Sequence, residues 1–452
     1  MNDGKKYALL LCYLALTIIL VVNAFTHFQQ DGDGFISTTF FISQGLVPHQ
    51  DFFSPHPLFQ NYLLAPLSWL AGQSPSILTI YNLLAIVLVL ICARLTYTIA
   101  KRNGFQNPHA ASLLFLAGYT AVTSYFLRYD FWEVLFLLLF FWFKKPLWKG
   151  FMLGLLLLMT PVFVFPTGIL ISTYLLTNFW HDKKKAIEPS LGIALGIVLV
   201  ALVHIRIPIS ALIYDVIQWN SALGNYYGVP WMEAVFFSLV YIMAALIIGG
   251  IVIFKYLRTK NIALLAASYT SAYVIQIVLM NIVYGPFTRV KLPAAVPIIA
   301  LMVIFAAYYK PCLASLIIIA HLLLTLLAYT PSLAMPQLEF VEVSQTLNSC
   351  VAPDATMMYD QTPPNNVPRI PLLRQPSDYH WFLRHWFPRL NITLPEHQFQ
   401  ERLYLCGNTI ERSDFVCTSN ELEQLQTLCN NFLLPASIWA NIRGDIRAFL
   451  FG

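Results

Sequence analysis

The stretch Tyr7–Phe53, "YALLLCYLALTIILVVNAFTHFQQDGDGFISTTFFISQGLVPHQDFF", begins as one kind of polymer and ends as another. Its first half is an apolar run behind Lys5 and Lys6, of the length that crosses a bilayer as a helix (roughly 20 residues), where no water can satisfy the backbone. No small-residue cleavage site follows, so the run is expected to remain as a first span. Its second half opens on Asp31 and Asp33, then breaks at Gly45 and Pro48.

The rest of the chain repeats the pattern. Of 452 residues, 58% are hydrophobic and 11% charged; a soluble domain carries roughly a quarter charged residues. Apolar runs recur from Tyr7 to Thr330 and then stop. The expected fold is an α-helical polytopic membrane body, 1–330, followed by an extracytoplasmic C-terminal α/β or mixed domain, 331–452. About eleven spans fall near 7–26, 77–99, 109–127, 129–143, 149–164, 166–180, 190–206, 233–254, 261–283, 291–309 and 312–330. Pro161 and Pro166 make the middle boundaries the least regular.

Lys and Arg set the orientation. Lys5/Lys6, Lys101/Arg102, Lys144/Lys145/Lys149, Lys183–Lys185 and Lys255/Arg258/Lys260 share one side if the spans alternate, whereas 26–76 has no Lys or Arg. That segment is therefore a long first external loop, and an odd number of spans carries the C-terminal domain outside as well. Short basic clusters between spans set topology and form no nucleic-acid face. The expected location is multi-pass: a bacterial inner (plasma) membrane, or the ER membrane in a eukaryote. Cys350, Cys406, Cys417 and Cys429 lie in the external domain, where disulfides form; four cysteines allow three pairings, and spacing does not choose among them.

The loop is about fifty residues long, against a usual length of roughly 4–6. "FISTTFFIS" suits an amphipathic surface helix with Phe35, Phe40 and Phe41 toward lipid. Asp31 and Asp33 precede it. The spacing fails a calcium EF-hand, which wants a third oxygen ligand at position 35 and a Glu at position 42. A polar turn capping the helix is the plain alternative. His49 and His56 flank Asp51 and, with Asp33, are the candidate metal ligands; backbone hydrogen bonding is the commoner use of such histidines.

In this loop Asp31 lies fourteen residues before Gly45, and "GLVPHQDFF" and "SPHPL" supply Gly45, Pro48, Asp51, His56 and Pro57. Downstream, "GPFTRVKLPAAVPIIAL" supplies Arg289, Lys291, Pro293 and Pro297, and "FLRYDFWEV" supplies Arg128, Asp130 and Glu133. In this order the elements resemble the GT-C membrane glycosyltransferases around glycosyltransferase family 39, the protein O-mannosyltransferase and aminoarabinose-transferase relatives. Val290 departs from the Tyr or Phe usual after the Arg.

The resemblance implies transfer of a sugar from undecaprenyl- or dolichyl-phosphate to an extracytoplasmic lipid, glycan or protein acceptor. Asp31 would be the general base, with Asp33 as fallback and Asp130 as the second acidic residue. Arg289, with Lys291, would hold the leaving phosphate. Asp51, His56, Arg128, Glu133 and Tyr226 complete the candidate substrate contacts; Tyr226, with Tyr227 and Trp231, suits either sugar stacking or the interfacial aromatic belt. A divalent cation (Mg or Mn) is an option that some relatives use, but no ligand cluster demands it. The alternatives are a transporter or flippase of lipid-linked glycans, which would need mid-membrane charges, and an oligosaccharide ligase or polymerase, whose large loop usually comes late in the chain.

Overall fold

The computed structural model describes residues 3–26, 38–51, 58–71, 77–105, 107–121, 129–159, 164–213, 357–359, 401–405 and 408–427, with isolated residues between 250 and 272 and between 346 and 352. The spans expected near 291–309 and 312–330 lie outside these residues, and those near 233–254 and 261–283 are described only at scattered helical positions.

The described fold is mostly helical. Its helices are α1 (Asp3–Thr26), α2 (38–43), α3 (Phe59–Ala71), α4 (Ile77–Arg102), α5 (Pro108–Ala121), α6 (Tyr129–Trp142), α7 (Pro146–Leu157), α8 (Val164–His181), α9 (Ile187–Val203) and α10 (Ile209–Leu212). Among the described residues two stretches, Thr79–Arg102 and Lys183–Val203, are long and apolar enough to cross a membrane. Six of the expected spans, the first to fourth, the sixth and the seventh, coincide with helices to within a few residues, while the fifth, 149–164, is cut short. There α7 stops at Leu157 and α8 begins at Val164, because a proline at 161 denies the helix an N–H.

Large apolar side chains stay exposed in stripes. On α1 these are Tyr7, Leu10, Leu11, Leu14 and Ile18; on α9 they include Leu191, Leu195, Val198 and Leu202. Their three- and four-residue spacing is that of one helix face. Contiguous apolar surface of this kind is what a soluble chain avoids and a lipid-facing one requires.

The tightest packing joins α7 to α9. Both carry a Gly-x-x-x-Gly pair, Gly150/Gly154 and Gly192/Gly196. A Cβ at any of these four positions would collide with backbone on the other helix: Gly150 with Pro189, Gly154 with Ile193, Gly192 with Leu147 and Gly196 with Phe151. Small residues at this spacing let two helix backbones touch, so dispersion and Cα–H···O contacts replace side-chain packing. The pairing order also gives direction. Leu147 and Gly150 meet Pro189 and Gly192, and Gly154 meets Gly196, so the two helices run parallel.

Parallel α7 and α9 define two ends of the bundle. Lys144 and Lys145 precede α7, and a 3-10 turn at Lys183–Ala186 precedes α9, so both lysine clusters share one end. The termini of α4 and α6 join them there: Arg102 donates to the Trp142 carbonyl at 3.1 Å and lies 5.3 Å from its ring centroid. The far end of α9 is the opposite end.

In the C-terminal region the described residues include a three-stranded antiparallel sheet, ordered β1 (Met357–Tyr359), β3 (Asn408–Glu411), β2 (Arg402–Leu405). Register runs Met357 to Ile410 and Arg402 to Glu411. A helix over 419–427 follows, with Leu425 fully buried and Leu422 half-buried, as the apolar spacing predicts. Leu428 and Phe432 of that expected face lie outside the described residues. Strands plus helix make this region mixed.

Candidate functional site

The described part of the first loop is a compact structure built on a helix stop. Helix α2 ends in a Schellman motif: Gly45 N–H donates to the Ile42 carbonyl at 3.0 Å and Leu46 N–H to the Phe41 carbonyl at 3.1 Å. Gly45 sits at φ +87°, the left-handed geometry that this cap needs and that a Cβ penalises. The chain then closes a second turn. Val47 N–H donates to Asp51 Oδ2 at 2.6 Å, and Asp51 N–H returns to the Val47 carbonyl at 2.8 Å. Asp51 thus holds the turn that carries His49. His49 is buried and adopts φ +63°, an uncommon conformation for a residue with a Cβ.

Phe40 and Phe41 are buried, at 4% and 1% exposure. They do not face lipid as the sequence pattern led us to expect. Helix α2 lies against α3 and α4 and not on an open surface, so its apolar face is spent on the protein core. Phe35 lies outside the described residues.

A buried polar network fixes this arrangement. Asn61 Nδ2 donates to Thr39 Oγ1 at 2.9 Å, Ser68 Oγ and the Tyr81 hydroxyl share a hydrogen bond, and Thr39 also bonds Tyr81. Helices α2, α3 and α4 are thereby tied through three polar side chains and a phenol. Gln60, one residue from Asn61, is fully buried, and its amide O and N have no hydrogen-bond partner among the described residues. Helix α3 was not anticipated from sequence; Pro66 inside it weakens the helical pattern. The local signal for the network was the polar pair "QN" within the apolar run Leu58–Leu64.

The loop meets the far end of α9. The Tyr62 ring packs edge-on against His204 with centroids 5.6 Å apart, and His49 lies close enough to His204 to interact with it electrostatically. His204 Nδ1 bonds the Val200 carbonyl at 2.8 Å. Burial pushes the Tyr62 phenol above its usual range, and Arg206 opposes that shift. So His49, Tyr62, His204 and Arg206 converge at the end of the bundle away from the lysine clusters. This grouping joins residues 49 and 204, and no sequence spacing announces it.

Glu133 lies elsewhere. It is fully buried on α6 and accepts a hydrogen bond from the Tyr269 hydroxyl through Oε1. It belongs to the packed body, tied to a residue 136 positions away. Asp130 is the second residue of the same helix. Asp31, Asp33, His56, Arg128, Tyr226, Arg289 and Lys291 lie outside the described residues.

Of the candidate metal ligands, His49 is among the described residues, whereas Asp33 and His56 lie outside them. Magnesium and manganese take oxygen ligands, and Asp51 Oδ2 accepts from the Val47 N–H. No group of three or more His, Cys, Asp or Glu able to hold a metal occurs among the described residues.

In the C-terminal region Cys350 and Cys417 lie together. An isolated antiparallel bridge pairs Val351 with Phe415, and Val416 N–H donates to the Cys350 carbonyl at 2.9 Å. Cys350 and Cys417 are both free thiols in the structure, and burial, then the neighbouring Cys417 thiol, push Cys350 up to about 12. Cys406 and Cys429 lie outside the described residues. No family model, no curated protein and no solved structure matches the chain.

Proposed function

We propose that the chain is a polytopic membrane glycosyltransferase of GT-C type. It moves a sugar from a polyprenyl phosphate to an extracytoplasmic acceptor, with Asp31 as general base. The observation that carries the reading is the closed turn Gly45–Asp51, buried at Val47–His49 and seated at the bundle end opposite the lysine clusters. A connecting loop of ordinary function needs no such core. Lys and Arg mark the cytoplasmic face, so the opposite end belongs to the outside, where a lipid-linked donor presents its sugar phosphate.

The chemistry needs two things there. A sugar hydroxyl is a weak nucleophile, and a carboxylate in hydrogen-bond reach removes its proton as the glycosidic bond breaks. The departing polyprenyl phosphate gains negative charge, and cations stabilise that state more than the ground state. Arg289 and Lys291 take this role in our reading. Asp51 shapes the loop that carries Asp31, and its main work is structural because its carboxylate caps Val47.

The test is transfer in membranes. Wild type and Asp31→Asn are supplied with radiolabelled polyprenyl-phosphate sugars and native membrane acceptors. We expect transfer by the wild type and a loss of at least a hundredfold in the variant, the usual scale of a lost general base. Wild-type transfer in Asp31→Asn removes Asp31 as the base. No transfer by the wild type from any lipid-linked sugar favours a transporter.

A further inference from the structure

We propose that Cys350 and Cys417 form a disulfide that staples the start of the C-terminal region to its sheet and following helix. This rests on the outward placement of that region and not on the transferase chemistry. The argument begins with geometry. Antiparallel pairing holds facing Cα atoms about 4.5–5.5 Å apart, within the roughly 4.4–6.8 Å that a disulfide spans. Val351 pairs with Phe415, so Cys350 faces Val416, whose N–H donates to the Cys350 carbonyl at 2.9 Å, and Cys417 is the next residue along, with its thiol close enough to interact with that of Cys350. Of the three pairings open to the four external cysteines, this contact selects the one that leaves Cys406 with Cys429.

Position gives the bond its purpose. Cys350 lies early in the C-terminal region by sequence, and Cys417 directly precedes the Thr418–Glu421 cap of the helix over 419–427. The linked loop encloses β1, β2 and β3. A sheet of three- and four-residue strands buries little apolar area, and small extracytoplasmic domains of this kind are held by disulfides.

The chemistry balances with a protein disulfide oxidant of the extracytoplasmic space. Cys417 is partly exposed and Cys350 is buried. Cys417, as thiolate, attacks the oxidant's disulfide and forms a mixed disulfide, releasing one oxidant thiolate. Cys350 then gives up its proton, and its sulfur attacks the Cys417 Sγ, expelling the second thiolate. The oxidant leaves as a dithiol carrying the two electrons and two protons that the cysteines lose.

The test uses the full chain in native membranes. Free thiols are blocked with iodoacetamide under denaturing, non-reducing conditions, and the digest is analysed by mass spectrometry. We expect a linked peptide joining Cys350 to Cys417, two hydrogens lighter than the reduced pair, with neither cysteine blocked. Both cysteines blocked, or Cys350 linked to Cys406 or Cys429, overturns the proposal. In Cys350→Ser the Cys417 thiol should become reactive to a membrane-impermeant maleimide in intact cells; in the wild type it should not. A C-terminal tag shielded from external protease overturns the outward placement and the disulfide together. A Cys350–Cys417 link in a protein with no transfer activity leaves the disulfide standing and counts only against the transferase reading.

Discussion

Gly154 of α7 and Gly196 of α9 meet backbone to backbone: a Cβ on Gly196 would lie 2.9 Å from the Gly154 Cα, and one on Gly154 3.0 Å from the Gly196 Cα. Neither helix can carry a side chain here without separating from the other. Gly154→Val or Gly196→Val should destabilise the body by about 1–3 kcal/mol or more, the usual cost of overpacking. Gly168, inside α8 where a Cβ meets nothing within 4 Å, is the control, and Gly168→Ala should not lower the midpoint. Thermal or SDS denaturation of detergent-solubilised protein measures both.

Tyr269 and Glu133 bring a second pair of distant segments together inside the body. Tyr269→Phe removes a donor from a buried carboxylate and should cost about 1–3 kcal/mol, the range for leaving a buried polar group less satisfied. Removing both partners should cost less than the sum of the single changes. A double-mutant cycle with Glu133→Leu and Tyr269→Phe in the same denaturation assay checks this; strict additivity would contradict a direct interaction.

The Val47–Asp51 closure yields a test of the loop that is separate from catalysis. Asp51→Ala should expose the segment to limited proteolysis near His49, and Asp51→Asn, which keeps an acceptor oxygen, should do so less. A hydrogen bond to a charged group contributes about 1.5–3 kcal/mol. If Asp51 instead acts in the chemistry, Asp51→Asn would lose transfer while its proteolytic pattern stays that of the wild type.

Acid should loosen the C-terminal helix at its start. Thr418 N–H and Oγ1–H both donate to Glu421 Oε2 at 2.8 Å, and Glu421 N–H returns to Thr418 Oγ1 at 3.4 Å. This is a capping box. The backbone and hydroxyl hydrogen bonds from Thr418 hold the Glu421 carboxyl below its ordinary value. A folded value below the unfolded one means that the stabilisation is present above the unfolded value and is lost as pH falls through the folded one. Hydrogen-exchange protection of amides 419–421, corrected for intrinsic rates, should therefore drop below about pH 4.3, the ordinary Glu value. In Glu421→Gln that pH dependence should vanish.

Much of the body was legible because local pattern decides it. A long run of apolar residues favours a helix wherever it sits, which is why α1, α4, α5, α6, α8 and α9 fall where hydropathy placed them. Gly45 and Pro48 announced the stop after α2 for a similarly local reason. The direction in which α2 turns its phenylalanines was misjudged. Amphipathicity shows that a helix has an apolar face, and lipid and protein core are equally apolar, so pattern cannot choose between them. Helix α3 is not legible in the pattern because Pro66 interrupts it; an interior proline removes a backbone hydrogen bond and costs about 3 kcal/mol, which the packing of α3 against its neighbours offsets.

The sequence by itself determined which segments are apolar enough to span, where the basic residues cluster and where the first loop must turn. Each of these follows from neighbours within a few residues. Only the tertiary structure decided that Gly154 meets Gly196, that Glu133 meets Tyr269, that Tyr62 meets His204, and that Cys350 lies beside Cys417. These contacts join segments tens to more than a hundred residues apart. They arise when helices and strands choose packing partners, and that choice depends on surface shape and buried polar groups that no local periodicity encodes.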